Sequence, residues 1–364
     1  MFTPSIISIA FSLSIIIFFM VLTYPVRKLV YQNEKLNHSI EGLRGIACIL
    51  VFVNHSAWML TNNHVESAKI DYTNFNYFGN FGSFGVELFF CITGYLFSSK
   101  IKSGEFDIEF FGKRIKRLAP AYLFVSLITF ILFIAKYNNL IVTFDDISRV
   151  IQQIFGFGFF GSGIRVQGST ITSLNVVVWT LPFEWKFYAA IPFIAYCFRR
   201  RRTTLIPLFI FSFFVIYSQY VEDNTLWVYF ITGFICSYIK PCKNKILCFA
   251  CSISALVLII YIILSNYYQY SAMRVIPISA FFILCVFSNP KWIKTKPLSI
   301  AGTLSYSIYL THQAAMFCIV NIASILFNNF DFTTVHLLIL AILSATLTII
   351  ASLFLYSKIE RRFI

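Results

Sequence analysis

The chain has 364 residues, of which 58% are hydrophobic and only 12% charged, with a mean hydropathy of +0.77. Soluble domains carry about 25% charged residues, so a soluble globular class is excluded and a polytopic membrane protein is expected. A net charge of +14 would point to nucleic acid in a soluble protein; here cationic loops that set topology account for it, and no nucleic-acid partner is expected.

Apolar runs fall near residues 5–24, 41–60, 82–99, 119–136, 176–198, 203–219, 226–239, 246–264, 273–288, 302–326 and 334–356. This predicts an all-α polytopic fold of about 11 transmembrane helices, two of them short enough to be tilted or re-entrant. The first run is followed, not preceded, by Arg27 and Lys28, and Thr-Tyr-Pro stands where a small-residue cleavage site would be. Residues 1–38 are therefore expected to be a retained anchor and linker, ahead of a membrane domain over 39–364.

Loop charges test the count. Taking alternate connections, one side collects Arg27, Lys28, Lys35, the Lys100–Arg117 group, Arg199 to Arg202, Lys240, Lys243, Lys245, Lys291, Lys294, Lys296, Lys358, Arg361 and Arg362. The other side holds Lys69, Lys136, Arg149, Arg165 and Arg274. This asymmetry predicts an outside N-terminus and a cytoplasmic C-terminus. The connection over 137–175 is then external, and its FGFGFFGSGIRVQG stretch suits a loop that skims the membrane or caps a cavity.

The second run, EGLRGIACILVFVNH, begins with a charge and buries a histidine. Arg44 and His55 are eleven positions apart; at ~100° and ~1.5 Å per residue they share a face and lie about 16 Å apart along the axis. Ala47, Cys48 and Val51 lie between them, so the face is expected to form the smooth wall of a channel. Ionisable groups inside spans cost several kcal/mol unless paired or hydrated, which makes each a functional candidate. With the orientation above, Arg44, Arg114 and Arg117 cluster at the cytoplasmic side, where guanidinium forks suit phosphate. Topology signalling or anionic-lipid binding is the structural alternative for them.

His55, Glu87 and Glu184 lie deeper, and His312 sits about ten residues into its span. A neutral His55 could take a proton from a hydroxyl attacking a thioester, with Glu184 or Glu87 orienting the imidazole or the acceptor. Trp185 and Tyr188 beside Glu184, with Glu87 and His312, are expected as polar groups of the acceptor site or tunnel. Helix–helix hydrogen bonding is the structural alternative for a membrane histidine, and ordinary packing the one for Trp185 and Tyr188. The nine cysteines lie in or beside apolar runs and are read as small core residues, with no metal site expected. No P-loop, G-x-S-x-G or H-E-x-x-H pattern occurs.

Six stretches recur in the order of a known family: IEGLRGIACILVFVNH, FGVELFFCITGYL, the Arg-x-x-Arg of KRIKRLAPAYL, VWTLPFEWKFYAAIP, LSYSIYLTHQ and SKIERR. Over about residues 39–361 the chain resembles the acyltransferase-3 family of integral-membrane acyltransferases. Where that family often has Asp-Gly-Leu-Arg-Gly, this chain has Glu41-Gly-Leu-Arg-Gly.

The resemblance implies an acetyl-CoA co-substrate, bound from the cytoplasm, and an O-acetyl transfer to a hydroxyl of a glycan such as O-antigen or another surface polysaccharide. It implies a bacterial inner-membrane location and a ten-span core; the expected extra anchor ahead of that core, and the lack of the hydrolase-like domain fused to some members, are departures from the family pattern. It matches Arg44 and His55 to the family's essential pair and Arg114 and Arg117 to its basic motif. Glu184, Ser305 and Tyr309 match polar positions of later motifs. His55 would be a general base or a transient acyl carrier, and the residues do not separate the two. A transporter or flippase is the rival reading, since intramembrane Arg, His and Glu suit it equally, though no inverted repeat is visible.

Overall fold

The computed structural model describes residues 4–30, 37–62, 75–103, 109–136, 143–160, 176–199, 225–327 and 333–363, with 213, 217 and 221 between them. Among these residues it is all helical, with twelve α-helices: α1 (Ile6–Thr23), α2 (His38–Asn62), α3 (Phe75–Ser103), α4 (Glu109–Lys136), α5 (Phe144–Phe155), α6 (Leu181–Arg199), α7 (Leu226–Cys236), α8 (Lys245–Leu264), α9 (Val275–Ser288), α10 (Lys296–Thr303), α11 (Ser305–Leu326) and α12 (Thr334–Lys358). Among the described residues seven helical stretches are long and apolar enough to cross a membrane: those built on α1, α2, α3, α4, α8, α11 and α12. Shorter apolar helices cover Leu226–Cys236 and Ala272–Ser288. The expected span over 203–219 lies almost wholly outside the described residues.

α2 and α3 form the centre, each with most of its span buried, whereas α8 meets its surroundings over nearly its whole surface. α2 packs on α3, α10 and α11; α3 packs in turn on α6 and α7. Helix formation needs no special account in apolar surroundings, because each N–H must bond within its own segment. What selects these neighbours is residue size. A Cβ on Gly42 or Gly45 would collide with the carbonyls of Ile293 and Leu298, and one on Gly302 with the carbonyl of Glu41. Gly94 and Gly233 do the same for α3 and α7, each facing a carbonyl of the other helix. With no hydrophobic drive between helices in lipid, such close backbone approach supplies the packing.

The small face of α2 is used in this way too. Ala47, Cys48 and Val51 are buried, Gly85 of α3 packs against Ala47 and Val51, and the Cys48 thiol reaches the Ala301 carbonyl of α10 at 3.6 Å. The smooth channel wall expected between Arg44 and His55 is thus a helix-packing seam. Small side chains give a smooth surface, and a smooth surface in a membrane bundle is one that another helix can cover.

The connection after α4 holds an element the sequence reading did not anticipate. α5 is capped by Thr143, whose hydroxyl accepts from the Asp146 N–H while the Asp146 carboxylate accepts from the Thr143 N–H and hydroxyl. Phe144, Ile147, Ile151 and Phe155 form an exposed apolar stripe along it. The rest of that loop, 161–175, lies outside the described residues. All nine cysteines are free, and Cys48, Cys91, Cys197, Cys236 and Cys285 are buried, as small core residues should be.

Candidate active site

A cavity of about 880 Å³, its open mouth included, lies between α2, α3, α4, α6 and α11. Arg44, Arg114, Arg117, Glu184, Tyr188, Ser305 and Tyr309 all line it. Residues from five stretches far apart in sequence therefore meet on one space. On α3 the lining runs from Phe97 up to Val86, eleven residues or about 16 Å of helix, and Val86 adjoins the turn that packs on Val51. The hollow path runs along α3 and α11, and not along α2.

The Arg44 guanidinium bonds Glu41 Oε1 at 3.0 Å, one turn back on α2, which orients it. Arg114 is held differently. Its guanidinium stacks 4.3 Å over the Phe97 ring and lies 5.6 Å from that of Tyr188. Among the described residues neither Arg114 nor Arg117 has a carboxylate within salt-bridge distance. Two guanidiniums on one face of α4, three residues apart, thus present their donors to an anionic guest.

Glu184 accepts a hydrogen bond from the Tyr188 hydroxyl at 2.9 Å, one turn along α6. Trp185 does not line the cavity; it packs edge-on to Tyr188 and to Phe157, behind the lining. The Tyr309 hydroxyl contacts Thr180 Oγ1 and donates toward the Val177 carbonyl, both at 2.8 Å, tying α11 to the turn before α6. Among the described residues Ser305 Oγ has no hydrogen-bond partner and is buried in the lining.

The Tyr306 hydroxyl, also lining the cavity, donates to the Leu118 carbonyl of α4. Behind this wall Ser307 donates to Glu360 at 2.6 Å, and Glu360 is close enough to Arg117 and Arg44 to feel their charges. Glu360 belongs to the SKIERR stretch but was not singled out from sequence; its signal is the one acid in a strongly basic end.

His55 is half-buried and does not line the cavity. It stands beyond the cavity's far wall: the Tyr309 ring is 6.2 Å from that of His312, which is 5.1 Å from that of His55. His312 Nδ1 lies 3.1 Å from the Ile308 carbonyl, so it carries the proton, and Nε2 is left as a buried acceptor with no partner among the described residues. Gln313, one residue on, reaches His55 Nδ1 at 3.3 Å.

Glu87 is held away from these groups. It is fully buried and gripped by Arg274, with Nε at 3.0 and 3.3 Å from its two oxygens and Nη2 at 3.0 Å, while the Tyr229 hydroxyl donates at 3.2 Å. Arg274 Nη1 donates to Asn80 Oδ1 at 2.8 Å, and Asn80 donates to the carbonyls of Ile263 and Ser265. Arg274, placed in an outer loop by charge counting, is a buried counter-ion that fastens α3 to α7 and α9. No group of three His, Cys, Asp or Glu capable of holding a metal occurs among the described residues.

A family model described as an acyltransferase domain matches residues 37–357. The chain is 25% identical over 318 residues to "O-acetyltransferase OatA" of Staphylococcus aureus, covering 75% of this chain and 49% of that protein. It therefore spans about half the length of that relative. It is 24% identical over 347 residues to "Putative membrane-bound transacylase BcsY" of Komagataeibacter xylinus, covering 88% and 81%. With "O-acetyl transferase" of Shigella phage Sf6 it shares 25% over 213 residues, covering 54% and 59%. No solved structure matches. With the family model covering all the helices from α2 to α12, the chain belongs to the acyltransferase-3 family of membrane acyltransferases.

Proposed function

We propose that the protein moves an acetyl group from acetyl-CoA to a hydroxyl of a cell-envelope glycan, O-antigen or another surface polysaccharide. The observation that carries this reading is the convergence of Arg44, Arg114 and Arg117 on one elongated cavity, with an imidazole pair beyond its far end. Three guanidiniums suit the phosphates of CoA, because each can bond a phosphate through two parallel N–H donors. The thioester arm follows the apolar lane of Val86, Phe89 and Phe90 toward Tyr309. A shift of the Tyr309 and His312 side chains opens the last turn to His55.

There the imidazole of His55 removes the proton of the sugar hydroxyl as its oxygen attacks the thioester carbonyl. The C–S bond breaks, the CoA sulfur takes the proton from the imidazolium, and ester and free thiol leave. In the covalent variant His55 nitrogen displaces CoA first and the hydroxyl then displaces the imidazole. Glu184 and Tyr188 accept and orient a polar group in the cavity, and Ser305 offers a further contact. His312, Trp185 and Tyr309 shape the passage, and Glu87 secures its frame. The relatives named as O-acetyltransferases support the acetyl group, and the cation-rich connections support a bacterial inner-membrane protein with an external N-terminus and cytoplasmic C-terminus.

Membrane vesicles containing the protein, given acetyl-CoA and the envelope glycan fraction of cells lacking the gene, should release free thiol and acetylate the glycan. His55→Ala vesicles should do neither. Equal release by both refutes the proposal, and an acyl-histidine trapped without glycan selects the covalent variant.

A further inference from the structure

The contact between Gln313 and His55 joins α11 to α2 across 258 positions of sequence. As placed, the Gln313 amide nitrogen faces His55 Nδ1 at 3.3 Å, while Gln313 Oε1 is buried and has no partner among the described residues. An amide nitrogen only donates, so in this arrangement Nδ1 accepts and the neutral ring carries its proton on Nε2. The Nδ1 lone pair is then engaged by the amide, and Nε2, carrying the proton, has none to offer. Turning the amide about its last bond exchanges the two atoms. The orphaned oxygen then accepts Nδ1–H, and Nε2 is left with its lone pair. Oxygen and nitrogen of an amide are nearly the same size, so the turn needs no repacking of the ring.

The neighbouring imidazole shows the same device in its finished form. His312 Nδ1 is fixed as the donor by the Ile308 carbonyl, leaving Nε2 as acceptor. We infer that Gln313 is a positioning residue that selects the tautomer of His55: its amide oxygen holds the proton on Nδ1, so that Nε2 is the basic nitrogen during transfer. The inference rests on the proposed role of His55 as base. In the transfer, Nε2 gains the hydroxyl proton as the new C–O bond forms and the thioester C–S bond breaks; the proton then leaves from Nε2 to the CoA sulfur, and the Nδ1–H to Gln313 bond persists throughout.

The test compares Gln313→Met, which keeps the length and removes the acceptor, with Gln313→Glu, which keeps an acceptor and loses the donor. The readouts are kcat and KM for acetyl-CoA in vesicles supplied with the envelope glycan fraction. Gln313→Met should lose at least tenfold in kcat with KM within twofold, and Gln313→Glu should remain within threefold of the parent kcat. Should Gln313→Met fail to reach the membrane, Gln313→Asn, one methylene too short, takes its place with the same expected loss.

A kcat within twofold of the parent for the acceptor-less variant overturns the inference. So does a loss confined to KM, or a Gln313→Glu protein as impaired as Gln313→Met. In each of these cases His55→Ala is still inactive, so the proposed function survives. If His55→Ala transfers as well as the parent, the proposed function falls and takes this inference with it.

Discussion

Charge neutralisation around Glu87 can be put to a quantitative test. Glu87→Gln preserves shape and leaves Arg274, 1% exposed, without its counter-charge; Arg274→Met leaves the carboxylate, 0% exposed, in the same state. Stranding one member of a buried pair costs about 3–5 kcal/mol. At ~1.4 kcal/mol per tenfold, that is roughly two to four orders of magnitude in the folding equilibrium. The double variant strands neither charge.

The amide oxygen at position 87 still accepts from the Tyr229 hydroxyl; what the double variant does lose is the donor to Asn80 Oδ1 and an acceptor for the new amide NH2, at about 1–3 kcal/mol per unsatisfied group where no substitute is found. The two single losses should therefore sum to well above the double loss, with a coupling of about 3 kcal/mol or more. The assay is reversible denaturation of the purified protein in mixed dodecylmaltoside–SDS micelles, run as a double-mutant cycle. Intramembrane hydrogen bonds average about 0.6 kcal/mol in such cycles, and a coupling that small would refute the claim that this is a charge pair the fold depends on. Glu87→Gln protein that stays folded should show the parent KM for acetyl-CoA, because no atom of Glu87 borders the cavity.

Other expectations follow from the same geometry. Arg114→Ala and Arg117→Ala should each raise KM for acetyl-CoA about tenfold or more with kcat little changed, since hydrogen bonds to charged groups contribute about 1.5–3 kcal/mol and these are made before the chemical step. Steady-state kinetics in vesicles read this, and a change in kcat alone would contradict it. Arg114→Lys should behave more like Arg114→Ala than like the parent, because an ammonium neither stacks on Phe97 as a plane nor forks onto a phosphate. Gly302→Ala drives a methyl into the Glu41 carbonyl and should cost about 1–3 kcal/mol in the denaturation assay, together with a misplaced Arg44 and a raised KM. The stripe of α5 should lie in lipid: a bimane label on Ile151→Cys should be quenched by spin-labelled acyl chains, whereas one on Arg149→Cys should not.

Periodicity and charge, both local properties of the chain, were enough to establish a helical membrane protein whose cations crowd one set of connections. The same local reading gathered Arg44, Arg114, Arg117 and Glu184 as candidates, with Tyr188 beside Glu184, and the family resemblance added Ser305 and Tyr309; these seven meet on one cavity because the stretches carrying them belong to a single bundle, whereas His55, Glu87, Trp185 and His312 do not line it.

Partners were another matter. Arg274 counted as an outer-loop cation until docking of α9 put it against Glu87, and Gln313 drew no notice until α11 brought it to His55. The face of α2 between Arg44 and His55 had the profile of an open wall, yet α3 and α10 cover it and the hollow runs along α3 instead. A sequence fixes what each helix face offers, small, charged or apolar. Which neighbour accepts the offer is settled by backbone approach between helices remote in sequence, and in a membrane every buried charge must wait for that choice to find its counter-ion.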